Sequence, residues 1–255
     1  MKLKIILTLC LVLSGMVKSF AEEGAKPQEK KVLRVATSAD QPPYEFFDTV
    51  GNTISGFDID LIREVAKRLG YDVEVVDMDF SGLLPALQTR QVDVVVASMS
   101  KTEERLKNID FSEDYFRPTY VILSLNKSKV LCKLDFNEKV VGAQLGSSHA
   151  AALKEYWDVA KNFQIEERNR VLDLVQELRA ERLHAAIIDD FPAYQFMKSC
   201  PDIFWVEPFV VENMMGYAIA LPKGSELTAK VNTVLKDLEK EGFLSNLKKK
   251  WLGVQ

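Results

Sequence analysis

The stretch VDVVVASMSKTEER, residues 92–105, decides the fold. Val92, Val94, Val95, Val96 and Ala97 form a short apolar run rich in β-branched residues, as in a buried strand. Ser98 and Ser100 follow at strand spacing. Ser100 or Thr102 can cap a following helix, and Glu103 and Glu104 suit its positive end. Arg105 does not suit it. Its helical neighbours at three and four residues are Lys101, Thr102, Asn108 and Ile109, so no local carboxylate pairs with it. A cation there, beside free backbone N–H groups and two hydroxyls, is a ready site for an external anion. Guanidinium grips a carboxylate through two parallel hydrogen bonds. The bland alternative is a solvated helical arginine.

Strand and helix patterns alternate on both sides of this stretch. Upstream, Val32 to Ala36 reads as a strand, and Gln41-Pro42-Pro43-Tyr44 as a turn. Phe57, Leu61, Val65 and Leu69, with Ile62 and Ala66, mark one apolar helical face stopped by Gly70. Val73 to Val76 is a strand and Leu83 to Thr89 a helix. Downstream the pattern repeats. Val140 to Ala143 is a strand, followed by Leu145-Gly146-Ser147-Ser148 and a helix from about His149 to Ala160. Asn162 to Ile165 is a strand, and Val171, Leu174, Val175 and Leu178 line a helix. Ala185 to Ile188 is a strand ending at Asp189-Asp190. Asp190 can cap the next helix, with Pro192 in its first turn, which leaves Asp189 free to face a crevice. Such alternation implies parallel βαβ units covered on both faces.

Tyr120 to Leu125 and Tyr217 to Leu221 are short apolar strands flanked by Pro118 and Pro222. They read as two crossings between lobes. Helices over Thr228 to Glu241 and Phe243 to Trp251 would return to the first lobe. The expected architecture is two α/β lobes joined by a two-strand hinge, with a ligand between them. Lobe I spans 32–116 and 221–255, lobe II 121–212, and the hinge 117–120 and 213–220. Lys2 and Lys4, the apolar run Ile5 to Leu13 and Ser19-Phe20-Ala21 read as a signal peptide over 1–21. A flexible leader over 22–31 follows.

Cleavage leaves 234 of 255 residues and, by removing three lysines, moves the net charge from −4 to −7. An acidic chain with dispersed lysines argues against nucleic acid as a partner. Cys132 and Cys200 could pair in an oxidising compartment, but their spacing is not readable from sequence. Two histidines without clustered ligand spacing give no expectation of a metal, and no cofactor motif is present.

Gly56-Phe57-Asp58-Ile59-Asp60-Leu61 with Val65-Ala66 resembles the signature of the family 3 extracellular solute-binding proteins. Asp79 to Leu87, Asp110-Phe111-Ser112 with Tyr115, and Lys249-Lys250-Trp251-Leu252-Gly253 resemble further stretches of that family, in order. The resemblance implies a type II periplasmic-binding-protein fold. It also implies a monomer in the periplasm that delivers a polar L-amino acid to a membrane-embedded ABC permease, without catalysis. It places Arg105 on the ligand α-carboxylate, Ser98 and Ser100 on the amine and carboxylate, and Ser148 on the carboxylate from lobe II. Asp189 falls on the ammonium and Phe80 on the side chain. Ser38 and Gln41 stand where the family often has an acid and an aromatic ring; the missing acid weakens the expectation of arginine or lysine, Asp40 is the residue that could compensate for it, and Gln41 could hydrogen-bond a polar side chain. The residues themselves agree for Arg105 and Asp189, because ligands bind beyond the carboxyl ends of parallel strands. His149 reads more readily as a partly exposed helical residue, Glu45 as a neighbour of the site, and Trp157 and Trp205 as packing.

A competing reading is a cyclohexadienyl dehydratase-like enzyme on the same scaffold, with Asp189 or Glu212 as general acid. Engagement of Asp189 with an ammonium would leave it poorly placed for that proton transfer. A sensor ectodomain or surface antigen is the third class.

Overall fold

A computed structural model describes residues 31–128, 130–160, 162–209 and 214–253. The expected signal peptide and Glu212 lie outside them, as does all of the expected leader except Lys31.

One sheet contains β1 (Lys31–Thr37), β5 (Tyr71–Asp77), β6 (Val94–Val95), β7 (Ile109–Phe111) and β13 (Ala220–Pro222). Its order is β5-β1-β6-β13-β7. The second contains β8 (Tyr120–Leu125), β9 (Val140–Gln144), β10 (Gln164–Arg168), β11 (Ala185–Asp189) and β12 (Ile203–Pro208), in the order β10-β9-β11-β8-β12. β2 (Asp40–Gln41), β3 (Glu45–Asp48) and β4 (Thr53–Ser55) form a small antiparallel sheet where the sequence reading had a turn and an unassigned segment.

The apolar runs are buried on both faces. Val94 and Val96 enter one core cluster while Val95 and Ala97 enter another on the opposite face. In β8, Tyr120 and Ile122 face one cluster, and Val121, Leu123 and Leu125 the other. Each such fully buried Val or Leu contributes about 1.5–3 kcal/mol. α7 (Leu227–Lys240) and α8 (Phe243–Leu252) pack Val231, Leu235, Leu238 and Leu244 into the same core as β1 and α1 (Phe57–Arg68).

Two strands run against the parallel expectation. β8 is antiparallel to β11 and β12, and β13 to β6 and β7. Each is the first strand after the chain passes from one sheet to the other, so no crossover helix turns it parallel. Neither strand is itself a crossing. The passage at 117–119 has no ladder pairing, and Pro118 lacks the N–H that pairing needs. In the return passage Tyr217 makes single bridges to Ser100 and Phe116, and 210–213 lie outside the described residues.

α1 (Phe57–Arg68) shows how the local sequence sets up the cleft. Gly56 has φ +138°, and a Cβ there would sit 2.1 Å from the Tyr44 carbonyl. That close approach lets the carbonyls of Pro43 and Tyr44 accept from the N–H groups of Phe57 and Asp58. The helix start is thereby locked against the Pro-Pro turn, and the Asp58 side chain is sealed beneath the end of β6.

Candidate functional site

Ser98 follows β6 at φ +40°, a left-handed conformation that costs a non-glycine residue about 1–2 kcal/mol. Two buried acids hold it there. Its N–H donates to Asp58 Oδ2 at 2.6 Å, and its hydroxyl to Glu45 Oε1 at 2.8 Å. Asp58 also accepts from the Tyr115 hydroxyl at 2.7 Å. Burial, then the charge of Asp58, pushes the Glu45 carboxyl well above the usual range. Glu45 is therefore the neutral member of the pair, and Asp58 carries the charge that accepts both donors. With its N–H and hydroxyl engaged, Ser98 has its carbonyl to offer.

Thr102, not Ser100, caps α3 (Glu103–Asn108), accepting from the Arg105 N–H at 3.2 Å. Arg105 Nη1 donates to the Ser100 carbonyl at 2.6 Å, and Nη2 crosses to the Gly146 carbonyl of the other lobe at 2.9 Å. Its guanidinium lies 5.5 Å from the centre of the Phe80 ring at the start of α2 (Phe80–Gln88). Among the described residues no carboxylate forms an ion pair with it. Burial lowers the guanidinium to about 10, and it stays charged at neutral pH. A guanidinium has five N–H donors, so three remain.

Across the cleft, α4 (Ser148–Ala160) begins after Gly146 at φ +75°. Ser147 Oγ accepts from the Ala150 N–H at 3.1 Å, and Ser148 Oγ from the Tyr120 hydroxyl at 2.6 Å. That hydroxyl is 3.5 Å from Ser100 Oγ, so Tyr120 ties the two lobes' serines together. Burial, then the charge of Asp189, raises its phenol, and Arg105 opposes the rise. The charges of Arg105 and Asp189 thus act on the same phenol in opposite directions.

Asp189 ends β11 and stands at the N-cap position of α6 (Asp190–Ser199), yet its side chain does not cap. Asp190 is the first helical residue rather than the cap, and it accepts from the Phe191 N–H at 2.9 Å. The Asp189 carboxylate turns instead to His149 Nε2, 3.0 Å from Oδ1. Its Oδ2 has no partner among the described residues, and the residue is fully buried. Other buried oxygens share that condition: Thr37 Oγ1, Gln41 Oε1 and Gln144 Oε1 at strand ends, and the hydroxyls of Tyr44 and Tyr217, the latter close to Asp189. An unsatisfied buried polar atom costs about 1–3 kcal/mol, so this concentration marks a place for a polar ligand.

Ser38 and Asp40 serve the interface between the lobes. Ser38 Oγ donates to Asp40 Oδ1 at 3.0 Å, and Asp40 Oδ2 accepts from the N–H of Val171, the first residue of α5 (Val171–Arg179). Burial pushes the Asp40 carboxyl up to about 6. Arg170 reaches back from the second lobe to Asp79 at 2.8 Å and Asp77 at 2.9 and 3.2 Å. Arg105, Gly146, Ser147 and Ser148 also line a groove of about 510 Å³.

The structure thus gathers Phe80, Ser98, Ser100, Arg105, Ser148 and Asp189 around one cleft, with Gln41 buried at a strand end. Ser38 is spent on Asp40. His149 is buried and not the partly exposed residue expected, and Glu45 positions Ser98. Trp157 donates to the Phe163 carbonyl, a packing role, while the Trp205 side chain lies outside the description. The two cysteines are separate thiols. Among the described residues no group of three or more His, Cys, Asp or Glu could hold a metal ion, and no helix is long and apolar enough to cross a membrane. Sequence reasoning gave no site role to Tyr44, Tyr120 or Gln144. Gln144 alone carried a usable signal, a polar residue directly after a buried strand.

Two α/β lobes in contact across polar strand ends, linked by two passages of chain, define a two-lobed solute-binding protein. The chain belongs to the bacterial extracellular solute-binding proteins, family 3, whose model matches residues 33–254. It is 42% identical over 246 residues to the arginine-binding extracellular protein ArtP of Bacillus subtilis, covering 96% of this chain and 93% of that protein. Among solved structures it is similar to an ancestral arginine-binding protein bound to arginine, at 35% identity and TM-score 0.81, covering 88% of this chain and 99% of that one. The glutamine-bound form of an ancestral arginine-binding protein matches at 36% and TM-score 0.81, covering 89% and 100%.

Proposed function

We propose that the protein captures a polar L-amino acid between its lobes, arginine before others, and delivers it to an ABC permease from the outer side of the cytoplasmic membrane, in the periplasm. The observation that carries this is unused hydrogen-bonding capacity on two groups of opposite charge. Arg105 keeps three N–H donors without a carboxylate, and Asp189 keeps a buried oxygen without a donor. A zwitterion is the simplest ligand that answers both. Arg105 then takes the α-carboxylate, with Ser148 and the first N–H groups of α4 on its other side. Asp189 Oδ2 and the Ser98 carbonyl take the ammonium, Ser100 lies between, and Phe80 packs on the ligand's stem.

The side-chain end is rich in acceptors. Gln41, Gln144 and Thr37 each present a buried oxygen without a donor. Guanidinium, with five donors and no acceptor, suits such a set better than any other natural side chain. The name of the Bacillus relative points the same way. Binding alone accounts for these groups, and no proton transfer is needed.

The test is a thermal-shift screen of the twenty amino acids on protein unfolded and refolded to strip ligand. Arginine is expected to stabilise most, by roughly 2.7 kcal/mol at 100 times its dissociation constant. Stabilisation by leucine or phenylalanine above all others would refute the polar pocket. No response to any amino acid would refute the reading.

A further inference from the structure

Asp189 has a competing destination. A carboxylate at the N-cap position ordinarily turns to the first free N–H groups of its own helix. Here it turns away from α6 to His149 Nε2, and the Tyr217 hydroxyl lies close to the same carboxylate without a hydrogen bond of its own. A carboxylate only accepts, so Nε2 must carry the proton. The imidazole is itself framed. Its ring centre is 4.2 Å from that of Tyr120, whose hydroxyl is fixed on Ser148. Ser148, Tyr120, His149 and Asp189 form one continuous frame drawn from α4, β8 and β11.

We propose that His149 is the positioning residue for Asp189. By holding Oδ1 it keeps the carboxylate off the α6 N-terminus and turns Oδ2 toward the α-amino group of the ligand. His149 therefore sets the preference for an amino acid over the same molecule without its amine. The terminal torsion of an aspartate is broad, so without a donor at Nε2 the carboxylate can rotate back onto its helix. This inference rests on the amino-acid reading above and adds a residue that the ligand need not touch.

The test uses two variants and two probes. His149→Phe keeps a ring against Tyr120 and removes the donor. His149→Gln removes the ring and keeps an N–H donor at nearly the same reach. Both are titrated calorimetrically with L-arginine and with 5-guanidinopentanoate, its desamino analogue. The preference for arginine over the analogue should fall about ten- to a hundredfold in His149→Phe and stay within about threefold of wild type in His149→Gln. A merely structural role would weaken both probes alike, and that outcome refutes the inference while leaving the amino-acid reading intact. An unchanged preference in His149→Phe also refutes it. Failure of the wild type to bind either probe removes the arginine reading and this inference together.

Discussion

Replacing Arg170 by alanine should weaken ligand binding without any contact between that residue and the ligand. Arg170 precedes α5 in the second lobe; of its acid partners in the first, Asp77 ends β5 and Asp79 follows it. It makes a two-toothed pair with Asp77 and a third bond to Asp79. The side chain is one-quarter exposed, and those of Asp77 and Asp79 are 41% and 45% exposed. Solvent therefore screens the pairs, and each merits about 0.5–1 kcal/mol. Together they supply about 1–2 kcal/mol, and only while the lobes are in contact. A ligand held by both lobes binds the closed arrangement, so that amount enters its affinity. The expected loss is five- to thirtyfold in Kd, carried mainly by faster dissociation.

Calorimetry and stopped-flow dissociation would measure it on wild type and Arg170→Ala. Arginine and its desamino analogue should lose affinity equally, because Arg170 does not distinguish them. Wild-type affinity should fall as salt rises, and the variant's should fall less. A Kd within twofold of wild type would refute the latch. A changed preference between the two compounds would show that Arg170 acts on the ligand instead.

Arg105→Ala should cost about 2–5 kcal/mol of binding, roughly 30- to several-thousand-fold, with the fold intact by circular dichroism; Arg105→Lys keeps the charge but loses the fork and should recover only part, and near-wild-type calorimetry in either case would overturn the carboxylate role. Asp189→Asn should weaken arginine much more than its desamino analogue, and equal losses would remove Asp189 from the amine. Asp40 is pushed up to about 6 by burial, so its contribution to folding is complete below about pH 4 and is lost as pH rises through 6. That amounts to on the order of 3 kcal/mol. Asp40→Asn, whose amide oxygen can still accept from Val171, should flatten wild type's decline in chemical stability across that window, and parallel pH curves would contradict the burial argument.

The legible parts of this molecule are those carried by chain periodicity. Val92 to Ala97 announced a segment covered on both faces, of which only Val94–Val95 pairs as strand, and the cluster assignments of Val94, Val95, Val96 and Ala97 follow from alternation alone. Arg105 was readable because its helical neighbours offer no acid, a purely local property. Asp189 was readable because a charged residue directly after a buried strand has few places to go except the crevice. The antiparallel entries of β8 and β13 were not legible. Direction within a sheet depends on where the chain arrives from, and composition does not encode that.

The partners of the legible residues were hidden for a related reason. His149 meets Asp189 across 40 residues, Ser98 meets Glu45 across 53, and Asp40 meets Val171 across 131. None of these pairs lies on one helix face or one strand. The case of Asp40 shows what that distance conceals. From sequence it stood as a possible substitute for the acid missing at Ser38, able to read a basic ligand. In the fold both its oxygens are spent, one on Ser38 and one on the second lobe. Its carboxylate bridges the lobes, and in the arginine reading proposed above the task of meeting a donor-rich side chain passes to the neutral oxygens of Gln41, Gln144 and Thr37. A pocket reading guanidinium through neutral acceptors gains less from the cation's charge than one built on a carboxylate. It should therefore tolerate an amide side chain better. Among the weaker ligands glutamine should stand above lysine, whose compact ammonium depends on a facing charge and cannot span a spread set of acceptors.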